Sequence, residues 1–173
     1  MDEFAADPPI EQRVGDRLAE RDETVAVAEG CTGGLVGALL TSAPGASRYL
    51  DRVVVPYDYD ALRDLLAVSR ETLDTHGAVS EQAVREVAQG VRDTADATWG
   101  VGTAGVTGPG GGSTETPVGT VFVGVAYAAP WGSGESETTV TRYAFEGNRA
   151  TVRERAARQA LTDLHEAAGV LEN

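Results

Sequence analysis

Apolar positions along the chain alternate between two periods, and each stretch predicts an element. From Pro9 to Arg21 they fall at helical spacing, with Ile10, Val14, Leu18 and the flanking Ala19 on one face and proline near the start. Thr24 to Ala28 is a short β-branched run that reads as a strand. The turn Gly30-Cys31-Thr32-Gly33-Gly34 follows it, and Leu35 to Thr41 continues as an apolar helix. Val53 to Val55 predicts another short strand, stopped by Pro56, and short helices are expected over Ala61 to Ala67 and Arg70 to Thr75. Ser80 is placed to cap a clearer helix through Val91, with Glu81 in its first turn and Val84, Val87, Ala88 and Val91 on one stripe. Thr98 to Val106 reads as a strand. Val118 to Ala128 and Glu137 to Phe145 read as an antiparallel pair joined through Pro130 to Gly134. Asn148 is expected to cap a last helix whose Val152, Ala156, Ala160, Leu164 and Ala168 share one side.

Strand, glycine turn and helix in succession are the α/β signal. The chain shows no internal repeat, no linker and no low-complexity tract beyond a second glycine run at Gly108 to Gly112. One α/β domain with a mixed sheet is expected over residues 1–173, with 1–8 as a flexible tail. Its 173 residues suit one domain and are few for two.

Charge changes the picture more than length does. Asp and Glu number 27 against 14 basic residues, a formal net charge of −13, and every basic residue is arginine. Without lysine there is no lysine Schiff base, no Ser–Lys dyad and no Walker A loop. The negative field argues against nucleic acid as a partner, since duplex binding depends on cations that neutralise phosphates. Such a composition suits a halophile's cytoplasm, where molar salt shortens the Debye length to about 3 Å. Cys31 is the only cysteine, so no intrachain disulfide is expected. Met1-Asp2-Glu3-Phe4 is acidic where a signal peptide is basic. The longest apolar run, Val118 to Trp131, falls short of the roughly 20 residues that span a bilayer. A cytoplasmic protein without membrane contact is expected.

Two glycine turns follow strands, where ligands of open α/β sheets bind. In the first, Thr32 can cap a helix opening at Gly33-Gly34, leaving backbone amides for an anion; a tight packing turn explains the same residues. The second, Gly105-Val106-Thr107-Gly108-Pro109-Gly110-Gly111-Gly112-Ser113, fits neither the dinucleotide nor the Walker spacing. Its glycines favour backbone approach to a ligand over a mere connection. No cluster has metal-ligand spacing, and no metal or cofactor is expected. Glu29 has two readings, a ligand or cation contact and a hydrogen bond to the neighbouring loop. Asp58 and Asp60 could hold Mg²⁺ weakly, but they read better as a solvated turn.

Six motifs occur in order: Ala28-Glu29-Gly30-Cys31-Thr32-Gly33-Gly34, Pro44-Gly45-Ala46-Ser47, Gly77-Ala78-Val79-Ser80, Gly105 to Gly111, Pro117-Val118-Gly119-Thr120-Val121 and Phe145-Glu146-Gly147-Asn148-Arg149. Together they resemble the C-terminal domain of the competence/damage-inducible CinA family, which includes nicotinamide mononucleotide deamidases. The resemblance covers roughly residues 10 to 168. It implies a three-layer α/β/α domain with a mononucleotide pocket, and a homo-oligomer is expected. In the deamidases a serine attacks the carboxamide carbon and a lysine takes its proton.

Residue by residue, the resemblance puts the nucleophile at Ser47 and a tyrosine at Tyr57. It puts ligand contacts at Glu29, Cys31, Thr32, Gly33, Gly34, Gly45, Gly105, Gly108, Gly110, Gly111 and Arg149. The departures fall in the chemistry. Leu62 stands at the lysine position, Gly30 replaces the serine of Glu-Ser-Cys-Thr-Gly-Gly, Ala46 replaces the first serine of a pair, and Ala104 holds a Ser/Thr position. Arg63 stays protonated and cannot replace the base. Asp60 and Asp58 are the best substitutes, since burial can raise a carboxylate into range. His76 at a helix end and His165 on the last helix read as structural. Cys31 at a helix start can have a lowered thiol pKa or be a small buried residue. Three functions follow: an impaired member that keeps a nucleotide or phosphate pocket, an amidohydrolase with a carboxylate base, or an assembly protein without ligand.

Overall fold

The computed structural model describes residues 7–170. Its elements run α1 (Ile10–Glu20), β1 (Val25–Glu29), α2 (Leu35–Ser42), a 3-10 turn at Ala46–Arg48 and β2 (Leu50–Val54). Then come α3 (Tyr59–Leu66), α4 (Arg70–His76), α5 (Glu81–Ala95), β3 (Trp99–Gly105), β4 (Thr120–Tyr127), β5 (Glu137–Ala144) and α6 (Arg149–Val170). The strands form one sheet in the order β2-β1-β3-β4-β5. β1 pairs in parallel with both β2 and β3, whereas β3–β4 and β4–β5 are antiparallel. The mixed sheet is the one expected.

Alternation along the strands separates two cores. Val25, Val27, Val101 and Val123 face α1, α2 and α6, meeting Val14, Leu18, Val36, Leu40, Val152 and Leu161. Ala26 and Ala28 face the other way, onto Leu62 and Leu66 of α3 and Val87 and Val91 of α5. These are the three layers of an α/β/α domain. β1 is buried on both faces, which explains its unbroken small apolar run. Helix α5 sits directly on the sheet because β3 presents glycine there; a Cβ at Gly100 would run into the carbonyl oxygen of Ala88.

The expected caps form. Ser80 Oγ accepts from the Ala83 amide at 3.2 Å, and Asn148 Oδ1 accepts from Thr151 at 3.0 Å. One strand departs from expectation: β2 begins at Leu50 rather than Val53, with Leu50 beside Val25. It is an edge strand, and exposed Asp51 and Arg52 hide its start in the sequence. Residues 1–6 of the expected tail lie outside the described residues. No helix among the described residues is long and apolar enough to cross a membrane.

Candidate functional site

Because β1, β2 and β3 are parallel, their C-terminal ends lie side by side, and the chain leaves each of them at the same rim of the sheet. Gly30 and Cys31 follow β1, Pro56 and Tyr57 follow β2, and Ala104 and Gly105 close β3. With Leu62, Ala78, Val79, Val87 and Thr103 they line a cleft of about 140 Å³. The sequence marked Pro56 only as a strand stop and Val79 only within a motif, and did not single out Thr103; the fold brings all three to the cleft.

The cleft has few polar side chains. Tyr57 stands at its mouth, 74% exposed. Thr103 is buried, with its hydroxyl 2.8 Å from that of Thr32. Burial pushes the Cys31 thiol up to about 12, outweighing the opposing influence of the Thr103 hydroxyl and the Arg153 charge. The lowered thiol pKa considered from its place near a helix start is therefore corrected: desolvation dominates, and the group stays a neutral thiol at neutral pH. Leu62, where the resemblance implies a lysine, forms part of the wall and is only 7% exposed.

The first glycine turn works differently from expectation. Thr32 does not cap α2, since its hydroxyl is engaged with Thr103. Gly33 and Gly34, at φ of 58° and 95°, turn the chain into the helix through the left-handed region that favours glycine. The cap is Glu29. Its fully buried carboxylate accepts from the amides of Gly34 at 3.0 Å, Val36 at 3.0 Å and Gly37 at 2.8 Å. An internal anion thus occupies the start of α2, the place a ligand phosphate was expected to take. Of the two readings of Glu29, the hydrogen bond to the neighbouring loop is the one the geometry supports.

The second glycine loop stays at the same rim. Gly108 and Gly111 have φ of 82° and 85°, and Gly110 and Gly111 are exposed. Arg149, the first residue of α6, donates Nη1 to the Gly108 carbonyl at 2.9 Å. One turn on, Arg153 donates Nη2 to the Thr32 carbonyl at 2.8 Å. Two guanidinium groups at one helix start therefore tie both glycine turns together. Arg153 was missed, although its spacing from Arg149 places both on one helix face.

Ser47 and Gly45 are not brought to this rim. They precede β2, beside the start of β1, whereas Tyr57 follows the end of β2. Five strand residues at about 3.3 Å each put roughly 17 Å between the two ends. Asp58 caps α3, its Oδ1 accepting from the Asp60 amide at 2.7 Å. Asp60 is exposed and pairs with Arg63 at 3.2 Å. Neither carboxylate lines the cleft. His76 ends α4 and is exposed, and the backbone carbonyl of His165 accepts from Arg17 at 2.6 Å. Among the described residues no group of three or more His, Cys, Asp or Glu could hold a metal ion.

A family model described as the CinA C-terminal domain matches residues 7–168. A CinA-like protein of Chlorobium limicola is 46% identical over 84 residues, which is 49% of this chain and 20% of that protein. One of Desulfosudis oleivorans is 52% identical over 81 residues, 47% of this chain and 20% of that protein. The chain thus spans about a fifth of the length of the curated relatives it matches. The crystal structure of competence/damage inducible protein CihA from Agrobacterium tumefaciens aligns with a TM-score of 0.85 at 34% identity, covering 98% of this chain and 99% of that one.

Proposed function

The chain belongs to the CinA C-terminal domain family, and from that premise we propose that it holds a small phosphate-bearing mononucleotide at the rim of its sheet without hydrolysing an amide there. One observation carries the reading. The positions where the family resemblance expects a serine, a lysine and a further hydroxyl are Gly30, Leu62 and Ala104, and all three line the same cleft. Three of the four departures thus fall in one cleft, and the fourth, Ala46, lies in the 3-10 turn before β2.

A serine hydroxyl needs a partner that removes its proton. The cleft lining contains no carboxylate, imidazole or amine, and the Cys31 thiol is held neutral. Asp58 and Asp60 are engaged outside it. Loss of a general base alone costs about 10²–10⁴-fold. The backbone is also near at Gly30, where a Cβ would lie 2.9 Å from the Thr103 carbonyl oxygen. Restoring a serine there would require the two strands to part.

Binding depends on different groups. Arg149 and the exposed amides of the Gly110–Gly112 stretch need none of the lost side chains, and they supply a local positive field in an acidic chain. At molar salt the net negative field is confined to about 3 Å, so local donors outweigh it.

The test uses purified protein in molar salt. Ammonia release from nicotinamide mononucleotide is measured beside thermal unfolding with that compound, its acid form and AMP, and both are repeated on Arg149→Ala. The expected result is background ammonia and a raised midpoint with at least one ligand, reduced in the variant. Saturation at about 100 times Kd stabilises the fold by about 2.7 kcal/mol, or roughly 5–10 °C for a domain of this size. Robust turnover abolished by Ser47→Ala would establish an active amidase instead. No midpoint change with any of the three would leave an assembly role.

A further inference from the structure

The surface of the cleft narrows what it can hold, a step that rests on the reading that a ligand's ring enters it. We propose that the cleft takes an uncharged aromatic ring whose buried edge carries no hydrogen-bonding substituent, so that this chain selects against a carboxamide-bearing base. The walls are Leu62, Val79, Val87, Pro56 and Ala104. The one buried hydroxyl among them, Thr103, already meets the Thr32 hydroxyl at 2.8 Å and the neutral Cys31 thiol. The Thr103 carbonyl is likewise engaged, accepting from the Gly30 amide at 2.9 Å.

A carboxamide brings one acceptor and two N–H donors, each solvated before it enters. At the buried edge they lose water and meet only the Thr103 hydroxyl and the Cys31 thiol, both already engaged, while the Tyr57 hydroxyl stands outside at the exposed mouth; the exchange opposes binding. A methyl group in the same place loses nothing and covers apolar wall. The volume suits one ring: about 140 Å³ here, against about 150 Å³ for an apolar cavity known to admit benzene in another protein. Exposed Tyr57 at the mouth, beside Pro56, leaves an apolar path inward. Leu62 and Ala104 are thus specificity-determining positions.

The experiment titrates the whole chain, in molar salt, with toluene and with benzamide, a pair that differs only in the substituent. Backbone amide NMR shifts of Val79, Val87 and Thr103 are followed. Toluene should give saturable shifts at these residues and bind at least tenfold more tightly than benzamide. Ala104→Ser, which returns one hydroxyl to the wall, should narrow that ratio several-fold. Val79→Ser, at a half-buried wall position, serves the same purpose should the first variant not fold. Equal or tighter binding of benzamide to the wild-type protein would overturn the proposal, as would toluene shifts that scatter over the surface without saturating. Benzamide preference with background ammonia release would sink this inference alone and leave the impaired-binder reading standing. Ammonia release together with toluene preference would do the reverse.

Discussion

Replacing Glu29 by alanine should be among the most damaging single substitutions outside the apolar core. The carboxylate is fully buried and accepts from the amides of Gly34, Val36 and Gly37. Its removal leaves three donors at the start of α2 without a partner. The bonds to Val36 and Gly37 lie in buried surroundings, while that to Gly34 is partly open. An orphaned buried donor costs about 1–3 kcal/mol, so the two enclosed ones alone give about 2–6 kcal/mol. Relief from burying a charge offsets part of this. A loss of about 3–4 kcal/mol is expected, which for a domain of this size lowers the unfolding midpoint by roughly 6–16 °C. Glu29→Gln keeps an acceptor oxygen but forfeits the charge, so it should fall between the two. Far-UV circular dichroism in molar salt reads the midpoint. A second readout ties the result to binding. With the internal carboxylate gone, the helix start is a vacant anion position, and inorganic phosphate should raise the midpoint of Glu29→Ala more than that of the wild type. A drop below about 2 °C, or an equal phosphate effect in both proteins, would refute the reasoning and return the Thr32-to-Gly34 turn to the list of phosphate sites.

Two further outcomes are expected. Leu62→Lys alone should leave ammonia release from nicotinamide mononucleotide at background, because the amine would enter an apolar wall where Gly30 and Ala104 offer no hydroxyl to orient it; a gain of about 10²-fold would show that the base was the only missing part. Cys31 should shape the alkaline limb of stability: its thiol, ordinarily near 9.0, is pushed up to about 12 by burial, so the unfolded chain loses the proton first. Stability from this group is therefore full below about pH 9 and lost as the pH rises through 12; no lysine titrates over that limb, and an unchanged slope in Cys31→Ala would contradict the assignment.

The elements that the chain announces by local pattern were legible in it. The stripes of α5 and α6, their caps at Ser80 and Asn148, and the antiparallel β4–β5 pair depend on neighbours a few residues away. What was not legible depends on where the chain returns. Ser47 and Tyr57 are close in sequence, and the resemblance assigned both to the chemistry, yet β2 runs between them and carries them to opposite ends of the sheet. Glu29 at the end of a strand left two readings open, a ligand or cation contact and a hydrogen bond to the neighbouring loop. Only the path of α2 back over the sheet shows that its carboxylate serves three amides of the same chain. The early start of β2 was hidden because exposed edge residues need not alternate.

The absence of lysine bears on both halves of the functional reading. A lysine amine can lose its proton when buried and so can act as a base; a guanidinium remains charged and can only donate. The cations near the rim, Arg149 and Arg153, already donate to the carbonyls of Gly108 and Thr32. Those bonds hold the two glycine turns in place, and the exposed Arg149 keeps its charge available to an anion. An arginine-only rim can therefore attract and orient a phosphate but cannot take a proton from a nucleophile at any accessible pH. In the cleft beside it, the positions where the resemblance implies hydroxyls and an amine are Gly30, Leu62 and Ala104, whose side chains neither donate nor titrate. Binding and proton transfer, which one lysine site can combine, fall to different groups in the function proposed above.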